Sequence, residues 1–397
     1  MDAKTFKRFA QEEYQLSHWA SIQRDGARIN PKVTAAAIFK SIVYQPVLGA
    51  RSLLELDQLS RFPVLKELVG SPREMVSSDT TALNALALWE MGPARLANYA
   101  WHLKIRQQGL AATWLSTGRR VHLGIVDGSD LGGHLFSVLA FAGAIYHGVD
   151  AERSPGRGHE LATSRNLLLR AKDYLGEGFA SHILYDGLMA DRIDLAFVRE
   201  QLNSHLVVKT SDETLNIIAD TKEAWMSLAT QDLKRVGVER VNGTDSQRMV
   251  VYEAWAQSGI PWEGLNYPLN LAWVRETHLK GKYAGETFSF WVVTTDETLR
   301  ALEMREMAHD RWAIENNGFK ETSQRVGSKN SYIKNADVKE TLLLMWLAGM
   351  TLLKAFRLSL ECTSEWRQWG ARKTKNLVAK IIEFGIPREV LARGASP

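Results

Sequence analysis

The chain has 397 residues, 45% of them hydrophobic and 24% charged, with a formal net charge of +4 and a single cysteine, Cys362. That length exceeds one ordinary core and points to two or three domains of a globular protein. One cysteine excludes a disulfide framework and a thiolate zinc site. Together with an amino-terminal "MDAKTFKRFAQEEYQ" that lacks the apolar core of a signal peptide, it points to the reducing cytoplasm.

Residues 1–115 read as a helical region. "PKVTAAAIFKSIVYQPVLGARSLLELDQLSRF" has helical spacing broken at Pro46 and Gly49, and "SSDTTALNALALWEM" opens with Ser and Asp, good N-caps, ahead of an apolar helix. Residues 30–62 admit either a helix-turn-helix or a plain helical bundle. The pattern changes at residue 120. In "RRVHLGIVDGSD", Val121, Leu123, Ile125 and Asp127 share one face of a strand. "HLFSVLAFAGAIYHGVD" reads as two antiparallel strands meeting near Ala142 and Gly143. A helix in "HELATSRNLLLRAKDYLG", a strand in "ASHILYDGLMAD", a helix in "RIDLAFVREQLN" and a strand in "SHLVVKT" follow. Residues 116–210 thus give three strands, helix, strand, helix, strand. That order sets the first and fourth strands side by side in a ribonuclease-H-like α/β sheet.

Residues 211–295 read as a β-rich insertion, with strands in "QRMVVYEAW", "LNLAWVRETH" and "ETFSFWVVTT". Residues 296–360 return to the α/β core. "TDETLRALEMREMAHD" reads as a helix continuing into "RWAIENNGFK", whose Met304, Met307, Ala308, Trp312, Glu315 and Phe319 fall on one inward stripe. "LLLMWLAGMTLL", between Glu340 and Lys354, is too short to span a bilayer and reads as a buried helix, so no membrane partner is expected. Lys320, Arg325, Lys329, Lys334 and Lys339 follow "RWAIENNGFK" at short intervals. Residues 361–397 form a basic tail, in which "WRQWGARKTKNLVAK" includes Arg372 and Lys373 and no acidic residue. Either basic run is compatible with a DNA contact or with a solvated face.

Three carboxylates stand out. Asp127 ends the first strand, Asp186 ends the fourth, and Glu315 arrives on a helix after the insertion, where an inward charge requires a partner. Ordinary readings exist for each. "DGSD" is a turn sequence in which Asp130 rivals Asp127, Asp186-Gly187 is a common turn, and Arg311 is spaced to pair with Glu315 at i,i+4. Taken together, three converging carboxylates without thiolates or a His pair suit hard cations, Mg²⁺ or Mn²⁺. Two such ions about 3.5–4 Å apart bind both the attacking and the leaving oxygen of an in-line phosphoryl displacement.

"IVDGSD", "ILYDGLMADR" and "RWAIENNGFK", with separations of 186 − 127 = 59 and 315 − 186 = 129, resemble the three motifs of bacterial insertion-sequence DDE transposases that carry a β-rich insertion. "ARSLLELDQL" and "SSDTTALNAL" are similar to that group's helical amino-terminal region, and the resemblance runs over about residues 30–355. It implies that Asp127, Asp186 and Glu315 ligate two Mg²⁺ or Mn²⁺ ions. It implies metal-dependent cleavage at transposon ends and transfer of the 3′-hydroxyl into target DNA. Arg311 matches the arginine of the family's Tyr-Arg-Glu-Lys signature, which contacts end phosphate. The tyrosine position is Ala308 and the lysine position Thr322, with Lys320 two places out of register. Trp291 or Phe290 stands where an aromatic could stack on a flipped base. The implied partners are terminal inverted repeats and target DNA, bound by a dimer in the synaptic complex, on the nucleoid of a bacterial cytoplasm. The alternatives are a structure-specific nuclease on the same fold, or an inactive DNA-binding descendant.

Overall fold

A computed structural model describes residues 3–23, 32–59, 69, 78–187, 191–312 and 314–359. The basic tail, including Arg372 and Lys373, lies outside the described residues. Among those described, six helices come first: α1 (Ala3–Glu12), α2 (Leu16–Ile22), α3 (Ala35–Leu48), α4 (Leu53–Leu59), α5 (Asp79–Leu86) and α6 (Gly92–Gln107). The Thr34 side chain caps α3 by accepting from Ala37 N, and Ser78 caps α5 by accepting from Thr81 N. The expected break at Pro46 is absent. Pro46 sits in the last turn of α3, which runs on to Leu48 and ends at Gly49 in a left-handed conformation. All of α3 except Ala36 and Lys40 is buried. In its described part, residues 32–59, the segment forms α3, a short turn and α4, an arrangement that a helix-turn-helix and a helical bundle share. Its residues 30, 31 and 60–62 lie outside the described set.

A short ribbon, β1 (Thr113–Trp114) with β2 (Arg120–Val121), leads into a nine-stranded sheet. Its strands are β3 (Leu123–Asp130), β4 (Leu135–Ala142), β5 (His147–Arg153), β6 (His182–Asp186), β7 (His205–Thr210), β8 (Glu239–Asp245), β9 (Val250–Ile260), β10 (Leu269–His278) and β11 (Thr287–Thr294). The sheet order is β5-β4-β3-β6-β7-β11-β10-β9-β8. β3, β4 and β5 form an antiparallel meander, whereas β6 lies parallel to β3 and β7 parallel to β6. Helix α7 (Glu160–Leu175) crosses from β5 to β6, and α8 (Arg192–Ala196), continued by a π-helical turn over Phe197–Gln201, crosses from β6 to β7. The expected adjacency of first and fourth strands is observed. Beyond expectation, the segment 211–295 contributes α9 (Asn216–Ser227), α10 (Thr230–Arg235) and four strands that extend this same sheet, because β11 pairs antiparallel with β7.

Helix α11 (Ala301–Asp310) follows, then a π-helix (Ile314–Phe319), α12 (Lys320–Val326) and α13 (Ala336–Leu358). By length and composition α13 could cross a membrane, but its most apolar window is 83% buried in this fold, as expected of a core helix. Gly349 explains how close α13 comes to α3, since a Cβ there would stand 2.0 Å from the Val43 carbonyl oxygen.

A buried ionic cluster ties these layers together. Asp150 of β5 accepts from Arg95 Nε of α6 at 3.0 Å and from Arg170 Nε of α7 at 2.6 Å, while Arg95 also pairs with Glu340 of α13. Beside it, His102 of α6 and His147 of β5 share a ring-nitrogen hydrogen bond of 2.9 Å in a buried setting. Burial holds both imidazoles below their ordinary 6.5, His147 at about 4. The unfolded chain therefore takes up protons first as the pH falls, so stability is full above 6.5 and is lost on the way down to 4. We expect chemical denaturation to show a fall on the order of 3 kcal/mol across that window, with a shallower slope in His147→Gln.

Candidate functional site

The site begins where a ladder ends. β3 and β6 pair in register from Leu123↔His182 to Ile125↔Leu184 and no further. Two residues along each strand, 125 + 2 and 184 + 2, stand Asp127 and Asp186, facing each other across the gap the ladder leaves. Asp186 is the last residue of β6, as the sequence indicated. Asp127 is not the end of β3, which continues to Asp130, but it is where uninterrupted burial gives way to alternation. The two aspartates share a local geometry. Oδ1 of Asp127 accepts from Gly128 N at 2.8 Å, and Oδ1 of Asp186 accepts from Gly187 N at 2.7 Å. Asp130 does turn duty instead, with Oδ1 accepting from Gly133 N at 2.8 Å.

Glu315 reaches the same point by a route the helical stripe did not describe. Met304, Met307, Ala308 and Phe319 are buried as expected, but Trp312 is 44% exposed and the Glu315 side chain 54%. The regular helix stops at Asp310, before Trp312, and the chain resumes as a π-helix from Ile314, so 3.6-residue counting does not carry through to Glu315. The inward group is Arg311, whose side chain is 7% exposed. Its guanidinium touches all three carboxylates. Nη1 lies 3.4 Å from Asp127 Oδ2, and Nη2 lies 3.7 Å from Asp186 Oδ1 and 3.3 Å from Glu315 Oε1. Gly318 lets the π-helix lie down, because a Cβ there would come 2.9 Å from the buried Tyr146 hydroxyl.

Charge at this point does not balance. Three carboxylates face one guanidinium. Burial pushes the Asp127 carboxyl up to about 6; Arg311 and the Gly128 N–H pull it back, while Asp186 and Glu315 push it further up. The donor set is all oxygen and carries surplus negative charge, which fits a hard divalent cation chemically. With Arg311 among the carboxylates, no group of three His, Cys, Asp or Glu side chains among the described residues is spaced to hold a metal ion.

A cleft of about 1370 Å³ opens beside Asp186 and Arg311 and runs to the strands of the 211–295 segment, lined among others by Lys209, Arg248, Phe288 and Trp312. Lys209 was missed by the sequence reading. Its Nζ lies 4.1 Å from the ring centroids of both Phe290 and Trp312, and burial lowers it to about 8. The signal was a lone lysine near the end of the apolar strand "HLVVKT", which pairs with Asp186 across β6 and β7.

The remaining expected DNA contacts divide. Lys320 and Lys329 are exposed. Arg325 is buried and pairs with Glu321 at 2.9 Å, which also takes Lys354 at 3.0 Å, so it serves an internal carboxylate instead of DNA. Lys339 is likewise buried, donating to the Asn330 carbonyl at 3.1 Å. Trp291 is 1% exposed and stacks on Trp225 at 5.5 Å, with no face left for a base, and Phe290 is 5% exposed beneath Lys209. No protein-family model matches this chain, and a search of curated proteins finds no similar sequence.

Since Asp127 sits in surplus negative charge, neutralising it relieves the metal-free fold. We expect Asp127→Asn to raise the thermal midpoint by about 1–3 °C in scanning calorimetry with chelator present. A lowered midpoint would contradict the charge imbalance.

Proposed function

We propose that this chain is a DNA transposase of the insertion-sequence DDE class, acting through a ribonuclease-H-like core. The observation that carries the reading is the convergence of Asp127, Asp186 and Glu315, from two adjacent parallel strands and a distant helix, on the single guanidinium of Arg311. The order of the first five strands of the sheet, third-second-first-fourth-fifth, supports the core. The motif resemblance supports the class.

In this reading Asp127, Asp186 and Glu315 hold two Mg²⁺ or Mn²⁺ ions. When bound, the ions supply water activation and charge stabilisation for in-line displacement at phosphorus. The chain's own residues set up the substrate. Lys209, Arg248 and Arg311 line the cleft with positive charge for the phosphodiester backbone of a transposon end. Phe288, 42% exposed, offers a ring on which a base stacks, beside Trp312, whose ring holds Lys209. Cleavage leaves a 3′-hydroxyl, which attacks a phosphodiester of target DNA at the same carboxylates and expels the target's own 3′-oxygen. Two inverted-repeat ends, brought together by a dimer, provide the substrate pair, in the cytoplasm where the DNA lies.

Ala308 and Thr322, at the signature's tyrosine and lysine positions, are 2% and 3% exposed and so make no DNA contact. That observation favours, as the second reading, a nuclease of the same fold that stops after cleavage.

The test uses the full chain with DNA carrying the inverted repeats that flank its gene. We expect Mg²⁺-dependent nicking at the ends and joining of pre-cut ends to a target duplex. Asp127→Ala, Asp186→Ala and Glu315→Ala should each lower cleavage by at least about 10³-fold while DNA binding by gel shift stays within a few-fold. Cleavage without joining selects the nuclease, and full cleavage by any one variant removes that carboxylate from the site.

A further inference from the structure

We infer that Arg311 is the resident counter-ion of the three carboxylates and competes directly with divalent cations for them, so that the free protein is held in a metal-poor state. This rests on the metal-binding reading above. Among the described residues the guanidinium is the one positive group touching all three acids, and it is shared so thinly that every contact, at 3.3–3.7 Å, is longer than a tight charge-assisted pair. Its Nε is buried and has no hydrogen-bond partner among the described residues. A group this poorly satisfied is not locked in place by its hydrogen bonds. It stays because three carboxylates need a cation and it is the nearest one.

A hard dication binds carboxylate oxygens far closer than these contacts, with twice the charge. It cannot share the space with a guanidinium, because like charges at such distances repel. Metal entry therefore requires Arg311 to leave. Its way out is open, since Arg311 also lines the cleft that continues past Lys209 and Trp312. An anionic phosphodiester in that cleft would receive the displaced guanidinium. Loading of metal and seating of DNA then become one exchange: the acids trade an arginine for metal ions, and the arginine trades carboxylates for a phosphate. The device keeps a DNA-cutting centre unloaded until a substrate backbone is present.

The test is a Mn²⁺ titration of the full chain without DNA, followed by electron paramagnetic resonance of the free ion. Arg311→Gln should bind Mn²⁺ at least about tenfold more tightly than wild type, equivalent to ~1.4 kcal/mol. Arg311→Lys, which keeps the charge, should stay near wild type, and adding Asp127→Asn to Arg311→Gln should abolish the gain. If wild-type binding depends on Asp127 but Arg311→Gln binds no more tightly, the competition is overturned while the metal site stands. If Mn²⁺ binding is indifferent to Asp127→Asn in every background, the metal site itself falls, and the competition with it. Should Arg311→Gln fail to fold, wild type suffices. Phenylglyoxal modification of Arg311, mapped by mass spectrometry, should rise several-fold on adding Mn²⁺, and unchanged reactivity overturns the inference.

Discussion

The three-pair parallel ladder between β3 and β6 is the constraint from which the site follows. Up to Ile125 and Leu184 the two backbones satisfy each other. One step further they part, and the residues next in phase are Asp127 and Asp186. β3 and β6 pair from their first residues, so the gap lies toward their C-terminal ends. The buried cluster of Asp150, Arg95, Arg170 and Glu340 pins the meander to the helices behind it. The framework behind the site is thus cross-linked by residues outside it.

Three carboxylates elsewhere in the fold show the opposite ratio of acid to base. Asp150 has Arg95 and Arg170, Glu276 has Arg305 and His309, and Glu321 has Arg325 and Lys354. Each pairs one carboxylate with two cationic or protonatable partners, which is how proteins make buried charge tolerable. At Arg311 the ratio is inverted, three acids to one base. Asp127 is the buried member of the three, with Asp186 and Glu315 about half exposed, so the surplus negative charge gathers at a cleft mouth, where perturbed acids concentrate in functional sites.

Legibility in the sequence followed the range of the signal. Strands with period-two or continuous apolar runs, the cap at Ser78 and the acid ending β6 are local features, and the fold realises them, while Asp127 lies inside β3 and not at its end. Long-range balance was not legible. Arg325 looked like a surface cation because its partners Glu321 and Lys354 must be brought together by packing, and a basic residue near a motif cannot announce whether it is already spoken for. Trp291 looked available because its neighbours Trp225 and Trp273 join it only when α9 and β10 pack around β11. The phase of Glu315 failed for a subtler reason. Helical counting assumes 3.6 residues per turn throughout, and a π-helix breaks the count where the functional residue sits.

The segment 211–295 read as an insertion and is, in chemical terms, an extension. Because β11 hydrogen-bonds to β7 from Thr210 to Val207, four further strands inherit the twist and position of the strands bearing Asp186 and Lys209. The cleft therefore has one continuous sheet along its length instead of a hinge between modules. Lys209 shows the consequence. It belongs to β7, yet its ammonium group is sandwiched by Phe290 from β11 and Trp312 from the turn after α11. Trp312 directly follows Arg311, so the same turn that delivers the guanidinium to the carboxylates also closes the aromatic sandwich over Lys209. Adjacent residues of one turn thus hold the acids and the buried lysine, so the acidic centre and the cleft wall are built by the same short stretch of chain.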